Sequence, residues 1–480
     1  MEWLNRKKKM KSIILIAMIT TFVSAQTRFL EINSLVNAGE FTKATELIDN
    51  KLQSNILNAD EITELQFEKE RLDRIRKDFN KTTDDVLKFV QKYYPNANES
   101  DLANWENDGS LEFIIIDGQK WYFARAASNL FRINKETKKQ KELVDGFQKD
   151  PLDKFLEKYI PEVLDEAANG QESLVKPVTF NLNYTITVNP NVVPDGEIIK
   201  CWLPYPREGH TRQTNIKLIE VNSDKFQIAE NDFLQRTLFL EKIAVKDQPT
   251  VFIMKLEVTN YNESNLITPE LIKPYNKNSE LYKTFTAERL PHIEFTDKIK
   301  SLSEKIVGDE KNPYLVAKKI FMWISDNIPW AGAREYSTIE NISDYCIANK
   351  HGDCGIKTLL FMTLCRYNGI PSKWQSGWML HPGEVNLHDW CEVYFEGYGW
   401  LPVDQSFGLV ESEFDDEKYF FLGSIDAYHL IINDEYSKEL SPAKKFPRSE
   451  TVDFQRGEVE WKGGNIYFDK WDYHMEVKYK

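Results

Sequence analysis

Between residues 28 and 94, apolar side chains recur three and four positions apart. Leu30, Ile32, Leu35 and Val36 come first, Ala38-Gly39-Glu40 interrupts, and Phe41, Ala44, Leu47, Ile48 and Leu52 follow. Residues at that spacing share one helix face, so the pattern predicts a helical hairpin. Ile62, Leu65, Leu72, Ile75 and Phe79 predict a longer amphipathic helix after it. Near residue 110 the period changes. The runs 111–116 and 120–124 are rich in β-prone residues and flank Asp117-Gly118, a strong two-residue hairpin signal.

Strict alternation begins at Val178 and continues through Phe180, Leu182, Tyr184, Ile186 and Val188, and it returns in Phe252, Met254, Leu256 and Val258. Period two is the signature of strands with one buried face, and together these runs predict a β-sandwich over 176–260. Helical spacing resumes at 298–307 and 314–327, the latter opening at Asn312-Pro313, a cap followed by proline at the first helical position. A broad apolar face over 355–367 predicts a buried helix that stops at Asn368-Gly369-Ile370-Pro371. Strands are predicted at 373–380, 389–395 and 399–404, with His381-Pro382-Gly383 as a loop and the last two strands turning about Glu396-Gly397-Tyr398. The fold class is therefore α+β and multidomain. It comprises an α+β accessory domain over 26–150, the sandwich over 176–260, a mixed domain over 290–410, and an extension over 411–480 whose aromatic alternation reads as closing strands.

The N-terminus changes the picture of where the chain works. A basic cluster at 6–11, an apolar run over 12–23 and Val23-Ser24-Ala25 before Gln26 predict a signal peptide over 1–25, and hence a periplasmic or extracellular protein. The run is shorter than the roughly 20 residues a membrane-spanning helix needs, so no membrane insertion is expected after its removal. The formal net charge is −14, and losing 1–25 removes five basic residues and one acidic one to leave −18. Such a surface repels nucleic acid, which is excluded as a partner.

Five cysteines in 480 residues make no disulfide scaffold, and the odd count leaves one thiol unpaired in a monomer. Cys201, Cys346, Cys365 and Cys391 lie among apolar or aromatic neighbours. Cys354 alone sits in a polar, glycine-rich stretch, His351-Gly352-Asp353-Cys354-Gly355, at the start of the predicted helix. Helix N-termini favour a thiolate, so Cys354 is the candidate nucleophile. If the later hairpin turns on Phe395 to Gly397, His388 lies directly opposite Asp404, where a carboxylate holds one imidazole nitrogen and leaves the other for a thiol. His351 and Cys354, like His388 and Cys391, also stand three apart, a spacing that a zinc site could use. His388 and Cys391 on one strand point to opposite faces, however, so no metal and no cofactor are expected. His351 and His381 read as loop histidines.

Together, Gly352-Asp353-Cys354, the Gly369-Ile370-Pro371 stop, Ser376-Gly377-Trp378, His388-Asp389-Trp390 and Gly399-Trp400-Leu401-Pro402-Val403-Asp404 resemble the transglutaminase-like superfamily, which has a papain-like core. That resemblance is strong over about 298–408. It implies a Cys354, His388, Asp404 triad acting on amide or peptide bonds, with protein or peptide substrates. It also makes Trp330 a candidate for assisting the oxyanion, and places Trp378, Asp389 and Trp390 as candidates for the substrate cleft. The small residue that often follows the histidine in the superfamily is Asp389 here. Hydrolysis, with acyl transfer to an amine and a non-catalytic binding or scaffold role as alternatives, is the expected activity.

Overall fold

A computed structural model describes residues 29–54 and 56–480, so the predicted signal peptide lies outside the described residues. The chain divides into two compact units, one ending at Ala127 and the other spanning Ser128–Lys480. The division falls before the boundary expected near residue 150, and the predicted sandwich and mixed domain share the second unit.

The first unit holds helices Leu30–Asn37, Phe41–Leu52, Ala59–Asp78, Thr83–Val90 and Glu99–Asn107, with strands β1 (Phe79–Lys81), β2 (Phe113–Ile116) and β3 (Gln119–Phe123) in the order β1-β3-β2. Its local signals are plain. Asn58 and Glu61 form a reciprocal capping box at the third helix. Asp117 and Gly118, both at positive φ, make the β2–β3 turn in the two-residue form that matches strand twist.

In the second unit, β4 (Leu174–Val188), β5 (Ile198–Pro204), β6 (Gln213–Val221), β7 (Phe226–Ile228), β8 (Thr237–Ile243) and β9 (Thr250–Glu263) supply most of two sheets. These pack through Phe180, Leu182, Tyr184, Ile186 and Val188 on one side and Ile199, Cys201, Leu203, Leu238 and Leu240 on the other. The C-terminal strands β14 (Glu458–Trp461), β15 (Gly464–Asn465) and β16 (Trp471–Tyr479) complete those sheets, in the orders β15-β14-β5-β8-β7 and β16-β4-β9-β6. The alternation over 176–260 thus describes only part of the sandwich.

Four helices and one sheet build the mixed domain: α1 (Asp297–Val307), α2 (Pro313–Asn327), α3 (Ile342–Asn349), α4 (Cys354–Tyr367), and β10 (Ser372–His381), β11 (Glu384–Phe395), β12 (Gly399–Val403) and β13 (His429–Asn433) in the order β12-β11-β10-β13. Asn312 caps α2 by accepting from the backbone N–H groups of Tyr314 and Leu315. Gly355 to Arg366 of α4 are all buried, because helices cover it on one side and the sheet on the other. The β10–β11 turn uses only Pro382 and Gly383, so β11 begins at Glu384 and His388 stands within the strand, not at its opening.

The β11–β12 register differs from the expected one. Phe395 pairs with Gly399 and Cys391 with Val403, so the loop is Glu396, Gly397 and Tyr398. The midpoint is 397, not 396, which places Trp390 across from position 404. Moving the midpoint by one residue moves each partner by two, so His388 and Asp404 keep the same face.

Candidate active site

The two halves of the expected triad are each built, but they do not meet. His388 on β11 hydrogen-bonds through Nε2 to Asp404 Oδ2 at 2.6 Å, with both side chains buried. Asp404 Oδ1 accepts the backbone N–H groups of Ser406 and Phe407 at 2.8 and 2.9 Å. Burial alone would push the Asp404 carboxyl up, but the His388 and His429 imidazoles overcome it and hold this carboxyl well below the usual range. The bond to Asp404 occupies Nε2 of His388, so Nδ1 is the nitrogen left for chemistry.

Cys354 opens α4, with Asp353 as its cap accepting the Ile356 N–H. The thiol donates to Asp389 Oδ2 at 3.3 Å, and no hydrogen bond joins it to His388 among the described residues. His388 and Asp389 are consecutive on a strand and point to opposite faces of it. The face carrying Asp389, Cys391, Val393 and Phe395 is the one α4 packs on, which is why the thiol meets the aspartate.

This arrangement overturns the expected low-pKa thiol. Burial raises the Cys354 thiol well above its ordinary value, and the charges of Asp389 and Asp353 and the Asp389 hydrogen bond add to the rise. The helix N-terminus is present, but an acidic cap and an acidic neighbour counter it. Asp389 is itself held by Gln455, whose Nε2 donates to Asp389 Oδ1 at 2.6 Å and to the His388 carbonyl at 2.7 Å. Burial, together with the charges of Asp353 and Glu450, raises the Asp389 carboxyl against the hydrogen bonds of Cys354 and Asp453, which lower it; burial and the charges of Asp389, Glu450 and Asp353 raise Asp453.

The remaining candidates fall in different places. Trp330 bridges Gly352 in parallel fashion and is 39% exposed, and the Arg132 guanidinium lies 4.7 Å from its ring centroid. Trp378 is fully buried, stacks on Tyr184 at 4.8 Å and donates to the Gln455 carbonyl. Trp390 is fully buried too and donates to Gln375 Oε1. Neither tryptophan offers a surface to a substrate, so both are corrected from cleft to packing residues. His351 is buried, which lowers its imidazole to about 4. His381 ends β10, fully buried, and bonds Asp426 at 2.9 Å, so it is no loop histidine. Cys391 packs in the core, with its thiol donating to the Val403 carbonyl. All five cysteines are free thiols.

Two residues the sequence reading missed complete the polar cluster. His429 Nε2 bonds Asp404 Oδ2 at 2.9 Å, its Nδ1 bonds Asp426 Oδ1 at 2.9 Å, and Asp426 Oδ2 takes His381. These side chains gather closely enough to suggest ligand sets, His381-Asp426-His429 and His388-Asp404-His429, neither of which includes a cysteine. Every histidine–aspartate contact in them has the length of a hydrogen bond with one shared proton. The sequence signal was Asp426-Ala-Tyr-His429, a carboxylate and an imidazole three apart beside an apolar strand.

A protein of Haemophilus influenzae described only as uncharacterized is 26% identical over 254 residues, 45% of this chain and 66% of that protein, so the match spans just under two thirds of its relative. A solved candidate cysteine protease of Cytophaga hutchinsonii is 16% identical, with a TM-score of 0.44, covering 64% of this chain and 91% of that one. The periplasmic domain of TgpA from Pseudomonas aeruginosa is 13% identical, with a TM-score of 0.25 and coverage of 51% and 91%. The sequence model of the transglutaminase-like superfamily matches residues 300–405, a stretch that contains α2, α3, α4, β10, β11 and β12 together with Cys354, His388 and Asp404. This chain carries a transglutaminase-like superfamily core over residues 300–405.

Proposed function

We propose that the protein is an exported thiol hydrolase that cleaves amide or peptide bonds in protein or peptide substrates through Cys354, His388 and Asp404. The observation that carries the reading is the buried 2.6 Å bond between His388 and Asp404, which leaves Nδ1 of a positioned imidazole free to act as a base. Among the described residues no helix is long and apolar enough to cross a membrane, which is compatible with export.

In this mechanism the start of α4 and β11 must rearrange from the resting geometry, in which the thiol sits on Asp389 and His388 lies on the other face of the strand, so that the thiol gives its proton to His388 Nδ1 while sulfur attacks the carbonyl carbon. The oxyanion is held by backbone N–H groups at the start of α4, and collapse expels the amine, which takes the proton from His388. Water then attacks the thioester, passes a proton to His388, and the acid leaves as the sulfur regains it. Because burial keeps the thiol protonated at rest, the base must act in the step itself. Water is preferred as acceptor over an amine because of its vast excess.

The Cys354–Asp389 contact favours a second reading, in which the site is a closed, non-catalytic core of a binding or scaffold module. One experiment separates the two. The full chain is offered peptide and glutamine-amide libraries beside Cys354→Ala. Turnover lost in Cys354→Ala supports the hydrolase; ammonia or amine release that survives the substitution, or no turnover at all, supports the module.

A further inference from the structure

His388 and Asp404 do not end the hydrogen-bonded array. It runs on through His429, Asp426 and His381, as a chain of three imidazoles bridged by two carboxylates, all buried. Two of its members, Asp426 and His429, lie beyond the superfamily core that ends at 405.

The donor and acceptor count fixes where the protons are. Asp404 accepts four bonds, from His388, His429, Ser406 N and Phe407 N. Asp426 accepts three, from His381, His429 and Tyr428 N. Both carboxylates are surrounded by donors and accept as anions. His429 faces a carboxylate oxygen with each ring nitrogen, and an ionised carboxylate can only accept, so both nitrogens of His429 carry protons. In agreement, its imidazole is pushed up to about 9: burial opposes this, and Asp426 and Asp404 outweigh burial.

Resting on the hydrolase reading above, we propose that His429, seated on Asp426, is a positioning residue for the base: a fixed imidazolium that orients Asp404 and cancels one of the two buried carboxylate charges. With His429 charged, the five side chains hold one negative charge in excess, and His388 neutralises it on taking the thiol proton. Without that cation the array would hold two, the second with no positive charge among the five to offset it. Outside the array, Lys357 from α4 lies within electrostatic range of Asp404 and is lowered to about 8 by burial, and the buried Arg212, before β6, lies within range of Asp426, as do the Tyr159 and Tyr428 hydroxyls. Phe407, Phe421 and Trp390 pack against the His429 ring and keep water from it.

The test uses the full chain labelled with 15N-histidine, whose seven histidines give a tractable spectrum. In the unsubstituted protein at pH 7 both His429 nitrogens should carry protons, where an ordinary imidazole of pKa about 6.5 is mostly neutral. A single-tautomer, neutral His429 at pH 7 overturns the proposal, with no variant needed. In His429→Gln, which keeps one N–H donor for Asp404 but no charge, the acid limb of the kcat/KM profile should move about one pH unit higher with KM little changed. A purely structural role would lower the melting point and leave that limb in place, which also overturns the proposal. If the unsubstituted chain turns over no amide but His429 is doubly protonated, the hydrolase reading fails and the charged array stands. If it is an active hydrolase with a neutral His429, the array fails alone.

Discussion

Replacing Asp389 with alanine removes the group on which the resting thiol is parked and places a small residue after His388. Two effects act on Cys354, and they separate with pH. The Cys354–Asp389 hydrogen bond at 3.3 Å is worth about 0.5–1.5 kcal/mol, which is up to about one pKa unit for the thiol. A tenfold gain in thiolate costs about threefold in intrinsic nucleophilicity, so alkylation should speed up about threefold at pH 6. Once Asp389 ionises, a full charge at that distance adds up to about 5 kcal/mol at an effective dielectric of about 20. Burial raises the Asp389 carboxyl, so its charge appears only as pH climbs, and the gap between variant and parent should widen to more than tenfold. Burial, the largest cause of the raised thiol, is untouched, so the variant thiol stays above its ordinary value. The assay is the second-order rate of iodoacetamide labelling from pH 6 to 9, with Cys354→Ala assigning the label; the other four cysteines are fully buried. Equal rates in parent and variant at every pH would refute the reasoning.

Other substitutions probe the surrounding site. Asp404→Asn leaves two imidazoles facing an amide and should lower kcat about 10²- to 10⁴-fold with little change in KM, read by steady-state kinetics. Gly355→Ala places a Cβ 2.2 Å from the Tyr336 hydroxyl and 2.8 Å from Asp389 Oδ2, so denaturant unfolding should show a loss of about 1–3 kcal/mol. Burial raises Glu450 to about 7, against about 4.3 in the unfolded chain. A carboxyl raised in the folded state contributes stability that is complete below about pH 4 and lost as pH rises through about 7; the melting point should fall over that window, and Glu450→Gln should flatten the fall. Asp404 and Asp426 are held low, so their contribution is present above about pH 4 and lost only in strong acid.

Local chemistry made much of this fold legible. The Asn312-Pro313 cap, the Asp117-Gly118 hairpin and the apolar run that forms α4 are decided within a few residues, and the elements start where those signals stand. The His388–Asp404 pairing rested on parity, and parity survived a turn centred one residue later than expected. Long-range partners were not legible. Gln455 and Asp453 reach Asp389 from beyond the core, and His429 reaches Asp404 from a strand that joins the sheet beside β10. A tail read as closing strands gave no hint of either. The thiol was misjudged for a related reason: the helix N-terminus is visible in sequence, whereas an aspartate from the neighbouring strand that takes the sulfur is set by which face of β11 the helix covers.

Whether Cys354 is a nucleophile toward acyl carbon can be read from intact-mass analysis. The full chain is mixed with an activated ester or amide and quenched in acid at early times. A single acyl adduct mapped to Cys354 is expected, absent in Cys354→Ala and formed faster in Asp389→Ala. An unmodified Cys354 in both parent and Asp389→Ala, with ester or amide consumption equal to that of Cys354→Ala, would contradict it.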